Sequence, residues 1–315
     1  MGVLGTIAAV GAATIVHGQD YPGRPVRLIA PLPAGSTPDQ IARVIGPQLH
    51  EAFGQPFIVE NKSGALGTLG AAEVARSAPD GHTLLLATNT THAADVALFK
   101  KLPYDPAKDF APIMRLATTS MVLVVRSDFP ARDLRQFIAH ARAKSGSLTA
   151  AYGTAGSLVS IAKLKSRGGF STVDIPYKGS NLAVADVLAG HVEFTFADFA
   201  VAFGQIKGGR VRGLAVTSAT RSPLAPDLPS VAEELPGSET IVWYGLVAPA
   251  GTPREIIDKL YQATTKIMSR EDVRTRFETA GLSVAPLSPD QFSGFIRSEI
   301  TKWGIEVKEA GIQAQ

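Results

Sequence analysis

Two short loops concentrate the residues able to do chemistry: Pro31-Leu32-Pro33-Ala34-Gly35-Ser36-Thr37 and Tyr152-Gly153-Thr154-Ala155-Gly156-Ser157. Each leaves an apolar strand-like run and opens a helical pattern, where main-chain N–H groups lack intrahelical partners. Such a helix start carries roughly half a positive charge and can hold a carboxylate or phosphate without Arg or Lys. Two of them, far apart in a chain long enough for two lobes, predict a small anion clamped between domains.

The same hydroxyls admit a plainer role, because Ser36 and Ser157 are also good helix N-caps that would satisfy their own helices. His92 ends a Thr-Asn-Thr-Thr-His run beyond a buried strand. It is either a ligand donor or a loop residue in a structural hydrogen bond. Asp198 either receives a ligand ammonium group or caps the helix read over Phe199–Ile206. Arg43 is expected to pair with acidic neighbours or be solvated, and Trp243 and Tyr244 to pack at a hinge rather than clamp a ligand. The remaining histidines (His17, His50, His82, His140, His191) are dispersed without metal-ligand spacing.

The elements that must position these residues follow from hydrophobic periodicity. Val26–Ala30 reads as a strand, and Ile41, Val44, Ile45, Leu49 and Phe53 then fall at helical spacing. Pro47 inside that helix predicts a kink or an early break. Phe57–Glu60 and Thr83–Thr88 are strands, with an Ala-rich helix over Leu66–Arg76 between them. The βαβαβ order implies a parallel sheet with ligands at the carboxyl ends of its strands.

The pattern restarts with strands at Met121–Val125, Leu148–Tyr152, Val173–Ile175, Val192–Phe196 and Val211–Val216. Helices at Leu134–Ala143, Leu158–Lys165 and Leu182–Leu188 alternate with them. After the Pro-rich stretch Pro223–Pro236 comes the strand Ile241–Val247, then a helix that Thr252 caps with Pro253 at its first position. The rest reads as mostly helical. Strands near 113–125 and 241–248 are the candidate crossings between lobes, and a double crossing permits hinge closure.

Composition narrows the function classes. The 315 residues are 45% hydrophobic and 19% charged, with a net charge of +3. No basic stripe with interleaved aromatics marks a nucleic-acid binder. The chain has no cysteine, which excludes disulfides and thiolate catalysis. No Gly-x-Ser-x-Gly elbow, His-Glu-x-x-His or P-loop occurs. The uncharged run Val3–Val16 reads as a signal-peptide core, with cleavage expected near Gly18–Gln19.

The residues also resemble a known family. Tyr21-Pro22-Gly23-Arg24-Pro25, the Pro31–Gly35 loop with Asp39 and Ala42-Arg43, and Val59-Glu60-Asn61-Lys62-Ser63-Gly64-Ala65 carry the likeness. So do Pro79-Asp80-Gly81-His82-Thr83-Leu84-Leu85, Leu102-Pro103-Tyr104-Asp105-Pro106 with Asp109-Phe110, and Pro176-Tyr177-Lys178-Gly179. Leu214–Thr217, Trp243-Tyr244-Gly245-Leu246 and Ala248-Pro249-Ala250-Gly251-Thr252-Pro253 complete it. In this order and spacing the chain resembles the Bug family, the extracytoplasmic receptors of tripartite tricarboxylate transporters.

The resemblance implies an α/β, type II periplasmic binding-protein fold with two α/β lobes joined by two hinge crossings. The lobes would be residues 20–117 plus 245–315, and 118–244, after a signal peptide at 1–19. It implies first-lobe ligand contacts at Pro33, Ala34, Gly35, Ser36, Thr37, Thr88, Asn89 and His92. Second-lobe contacts fall on Tyr152, Gly153, Thr154, Gly156, Ser157, Ser180, Ala197 and Asp198.

Three departures stand out. Pro-Ala-Gly-Ser replaces the usual Pro-Gly-Gly, the 157–172 segment is shorter and lacks His-Leu-Ala, and the acidic residue after Val192–Phe196 is displaced by one.

The expected function is that of a periplasmic receptor, monomeric and without cofactor, metal or catalysis. It would capture a small di- or aromatic carboxylate for hand-over to a tripartite-type permease or a sensor kinase. The alternative is an enzyme of the same bilobal fold, such as a transferase holding a phosphate in the cleft.

Overall fold

The computed structural model describes residues 21–315; the expected signal peptide lies outside the described residues. The chain runs β1 (Val26–Ala30), α1 (Thr37–Phe53), β2 (Phe57–Asn61), α2 (Thr68–Ala75), β3 (Thr83–Thr88) and, after a π-helical turn at Thr90–Ala94, α3 (Asp95–Leu98). The long strand β4 (Phe110–Arg126) leads to α4 (Leu134–Ala143), β5 (Thr149–Tyr152), α5 (Ala155–Gly168) and β6 (Val173–Pro176). There follow α6 (Ser180–Ala189), β7 (Phe194–Asp198), α7 (Phe199–Lys207), β8 (Val211–Val216) and α8 (Val231–Glu234). The second long strand, β9 (Ile241–Pro249), precedes α9 (Arg254–Ser269), α10 (Glu271–Thr279), β10 (Ser283–Leu287) and α11 (Pro289–Glu309).

The two long strands organise the molecule. Between Phe110 and Ser120, β4 pairs antiparallel with β9, and near Thr118 it also takes β10 on its other side. From Met121 onward the same strand pairs with β7 and β8 instead. The first lobe is therefore the sheet β2-β1-β3-β9-β4-β10, and the second is β8-β4-β7-β5-β6. Strand β4 passes from one to the other unbroken, as a hinge connection must.

Packing explains the remaining layers. Strand β3 is buried along its whole length, as expected of a central strand covered on both faces. Helix α1 lays Ile41, Ile45 and Leu49 on one side of the first sheet, against Val26, Leu28 and Leu84. On the other side α11 contributes Phe292, Ile296 and Trp303. Glu299 of α11 accepts from both Trp243 Nε1 and Trp303 Nε1 at 3.0 Å, tying β9 to this helix. Trp243 thus packs at the crossing, edge-on to Phe292 and Phe295.

Three local expectations are corrected. Helix α1 runs through Pro47 to Phe53 and ends at Gly54 in the left-handed conformation. Burial of its apolar face outweighs the lost hydrogen bond. Thr252 does not cap α9; its hydroxyl donates to the Pro249 carbonyl at 2.8 Å, and the helix begins one residue past Pro253. Ser283–Leu287, within the stretch read as helical, is a strand paired to the edge of β4.

Candidate functional site

The parallel register of β1 and β3 aligns Ile29 with Leu85. The Pro31–Thr37 loop and the Thr88–His92 turn therefore leave neighbouring strand ends on the same side of the first sheet. In the second lobe β5 aligns with β6, Tyr152 opposite Pro176, so the Tyr152–Ser157 loop and the Tyr177–Ser180 turn emerge together. These four segments meet along one interlobe seam.

Contacts across the seam are specific. Asn181 Nδ2 donates to the Ala34 carbonyl at 2.9 Å. Ala155 N–H donates to Thr90 Oγ1 at 3.2 Å. Thr37 Oγ1 donates to Asp198 Oδ2 at 2.6 Å. A methyl group on Gly179 would lie 2.8 Å from Pro33 Cδ, and one on Gly153 would lie 2.2 Å from the Gly179 carbonyl carbon. Pro33, Gly179 and Gly153 thus stack in order, bringing the two loops to opposite sides of one contact.

The donors expected to be free are largely answered from within. Gly35 N–H goes to Asp39 Oδ2 at 2.9 Å and Ser36 N–H to the Pro33 carbonyl at 3.1 Å. Gly153 and Thr154 N–H both point at Ser157 Oγ, each at 3.0 Å. Ser157 N–H in turn donates to Thr154 Oγ1 at 3.2 Å, completing a reciprocal capping box. Ser157 therefore satisfies its own helix. The N-cap of α5 is thus Thr154, with Ser157 inside the helix, whereas Ser36, the N-cap of α1, makes no capping bond and its buried Oγ has no partner. The Nδ2 of Asn89 is likewise buried and unpartnered. The Nε2 of His92 is a third such atom among the first-lobe candidates; an unmet buried polar group is costly, about 1–3 kcal/mol.

The other candidates take distinct positions. Thr88 Oγ1 accepts from Thr91 N–H at 3.1 Å, shaping the turn. Tyr152 is half-buried, and its carbonyl accepts from Tyr177 N–H at 2.7 Å. Gly156 faces Val242 and Met121, where an added methyl would come within 2.8 and 3.0 Å. Ser180 is buried at the start of α6, and Ala197 is buried opposite Val122 of β4.

The His92 ring packs 4.5 Å from Phe110 and beside Tyr104 inside the first lobe, with Nδ1 3.0 Å from Thr91 Oγ1. Burial pushes its pKa down to about 3, so the ring is neutral. Asp198 does not cap α7 with its side chain. Its Oδ2 also accepts from Tyr244 OH at 2.5 Å, and burial raises its pKa against the lowering effect of the two hydroxyls.

Arg43, on the first-lobe helix α1, is already committed: it holds Asp39 at 3.0 Å. Burial pushes the Asp39 carboxyl up, but Arg43, the Gly35 N–H and the Asn61 amide outweigh it and leave the pKa below the usual range. Thr90, Gly179, Asn181 and Tyr244 were not singled out as seam residues from sequence. The Thr-rich run 88–91 was the available signal for the first, and small residues around Gly179 for the next two.

Two lobes joined through β4, with a polar seam between helix starts, define a solute-binding protein of the periplasmic type. The family TctC, described as tripartite tricarboxylate transporter family receptor, matches residues 41–312. Protein BugT of Bordetella pertussis is 33% identical over 309 residues, covering 97% of this chain and 95% of BugT. The structure of R. palustris Rpa4515 with adipate matches with a TM-score of 0.91 at 31% identity, covering 94% of this chain and 100% of that one. MatC (Rpa3494) from Rhodopseudomonas palustris with bound malate matches with a TM-score of 0.85 at 34% identity, over 91% and 100% of the two chains.

The chain belongs to the tripartite tricarboxylate transporter receptor family, the Bug family. It is a solute-binding receptor and not an enzyme. Among the described residues no helix is long and apolar enough to cross a membrane.

Proposed function

We propose that this receptor is exported to the periplasm, where it captures a small organic acid, a di- or aromatic carboxylate, between its lobes. Residues 20–117 with 245–315 would form one lobe and 118–244 the other. One observation carries the reading: Ser36 Oγ and Asn89 Nδ2 are buried without partners in the two first-lobe segments that meet the second lobe along the seam. A carboxylate bridging them would receive charge-assisted hydrogen bonds without any Arg or Lys. The adipate and malate held by the two relatives belong to this chemical class. The family supports hand-over to a tripartite-type permease as the partner step, with a sensor kinase as the alternative partner.

Thermal-shift titration with adipate, malate, benzoate and nicotinate tests the proposal. A ligand at a hundredfold over its Kd stabilises by about 2.7 kcal/mol, which raises the melting midpoint by several degrees. Ser36→Ala should weaken the responding acid by about tenfold and leave the ligand-free melting point unchanged, because no capping bond is lost. No response to any of the acids would overturn the reading.

A further inference from the structure

The junction between β7 and α7 makes contacts that ligand binding alone does not require. Asp198 ends β7 in the second lobe, and its Oδ2 accepts from Thr37, the first residue of α1 in the other lobe, and from Tyr244 on β9. All three side chains are buried. The next residue, Phe199, lies over Gly281 in the turn between α10 and β10, where an added methyl would sit 2.4 Å from the ring. Gly281 has φ +75°, and its carbonyl accepts from Thr119 of β4 at 2.7 Å. Two consecutive second-lobe residues therefore dock at separate points of the first lobe, one by a pair of hydrogen bonds and one by close packing.

We infer that Asp198 is a positioning residue: it latches the lobes by tying the start of α1 to the hinge strand, and does not receive a ligand ammonium group. The inference rests on the receptor reading above and deepens it. With Oδ2 shared by two hydroxyls, the carboxyl group is already the acceptor for the protein's own donors. Its work is to hold the Ser36–Thr37 helix start against the second lobe when the cleft closes. The latch gives no preference to acids bearing an amino group, so the receptor should accept plain carboxylic acids.

The test compares Asp198→Asn, Thr37→Val, Thr37→Ser and their Asp198→Asn double variants. Binding kinetics are measured with succinate and with aspartate, which differ by one amino group. Solution scattering of each protein without ligand reports how closed the lobes are. The latch predicts that Asp198→Asn weakens any succinate and aspartate binding by the same factor, about tenfold or more, chiefly through faster release. Thr37→Val should reproduce this, Thr37→Ser should restore it, and the double variant with Val should be no worse than either single one. The ligand-free variants should scatter as more open particles than the parent.

Selective loss of aspartate in Asp198→Asn would overturn the inference in favour of an ammonium receptor. So would unchanged scattering in both Asp198→Asn and Thr37→Val. Failure of the parent to bind any acid would instead strike the receptor reading, while the scattering comparison still decides the latch.

Discussion

Gly179→Ala is expected to act as a wedge between the lobes. Gly179 has φ −178° and ψ 157°, an extended backbone that alanine adopts without strain, so the substitution should cost little in the second lobe itself. The added methyl would meet two atoms at 2.8 Å: Asn181 Oδ1, the end of a flexible side chain, and Pro33 Cδ, part of a rigid ring in the opposite lobe. The amide can rotate away, but the ring cannot. Ordinary contact begins near 3.4 Å, so the lobes must separate by about 0.6 Å along this line, and overpacking of this kind costs about 1–3 kcal/mol.

Only the closed state bears that cost. An acid bound through closure should therefore bind about 5- to 150-fold more weakly, with the ligand-free melting point within a degree or so of the parent. Calorimetric titration of the responding acid gives the affinity, and solution scattering with saturating ligand gives the degree of closure. Unchanged affinity would refute the reasoning, because it would mean that Pro33 and Gly179 are not in contact when ligand is held. A fall in affinity matched by an equal fall in ligand-free stability would refute it too, since the damage would then lie within one lobe.

Ser157→Ala should behave in the opposite way to Ser36→Ala. It removes the hydroxyl that accepts from Gly153 and Thr154 N–H, so the urea midpoint should fall by an amount equivalent to about 1 kcal/mol; an unmoved midpoint would contradict the capping role. His92 makes stability depend on pH. Its folded pKa of about 3 lies below the unfolded value of about 6.5, so its contribution is complete above the unfolded value and is lost as pH falls. The slope is about 1.4 kcal/mol per pH unit between the two values. His92→Phe removes this slope, so the stability difference between parent and variant should shift in the variant's favour from pH 7 to pH 4. Parallel stability curves over that range would count against a neutral, buried ring.

Much of the architecture is legible in local pattern. The apolar runs near 113–125 and 241–248 are the long strands β4 and β9; β4 pairs into both sheets, whereas among the described residues β9 pairs only with β3 and β4. The pairing of Arg43 with Asp39 follows from their i, i+4 spacing. Strand β10 is not legible, because Ser283–Leu287 contains Pro286 and is extended only by pairing with the free edge of β4. Pro47 reads as a helix breaker, yet the buried face of α1 carries the helix past it. Ser36 and Ser157 illustrate the limit best. Both precede or open a helix in a Gly-containing loop, but only Ser157 closes a capping box, because Thr154 stands three residues before it.

The sequence by itself determined an α/β chain of two lobes, since strand and helix periods and turn residues are local properties that survive without knowledge of distant contacts; the receptor role came from its resemblance to a known family. Tertiary structure alone decided which polar groups remain unmet. Whether Gly35 N–H meets Asp39, whether Ala155 N–H meets Thr90, and whether Asp198 faces a ligand or Thr37 and Tyr244 depend on which groups the fold brings within 3 Å or so. Hydrogen bonding is short-ranged and saturable, so a donor's availability is settled by its neighbours in space rather than by its place in the chain.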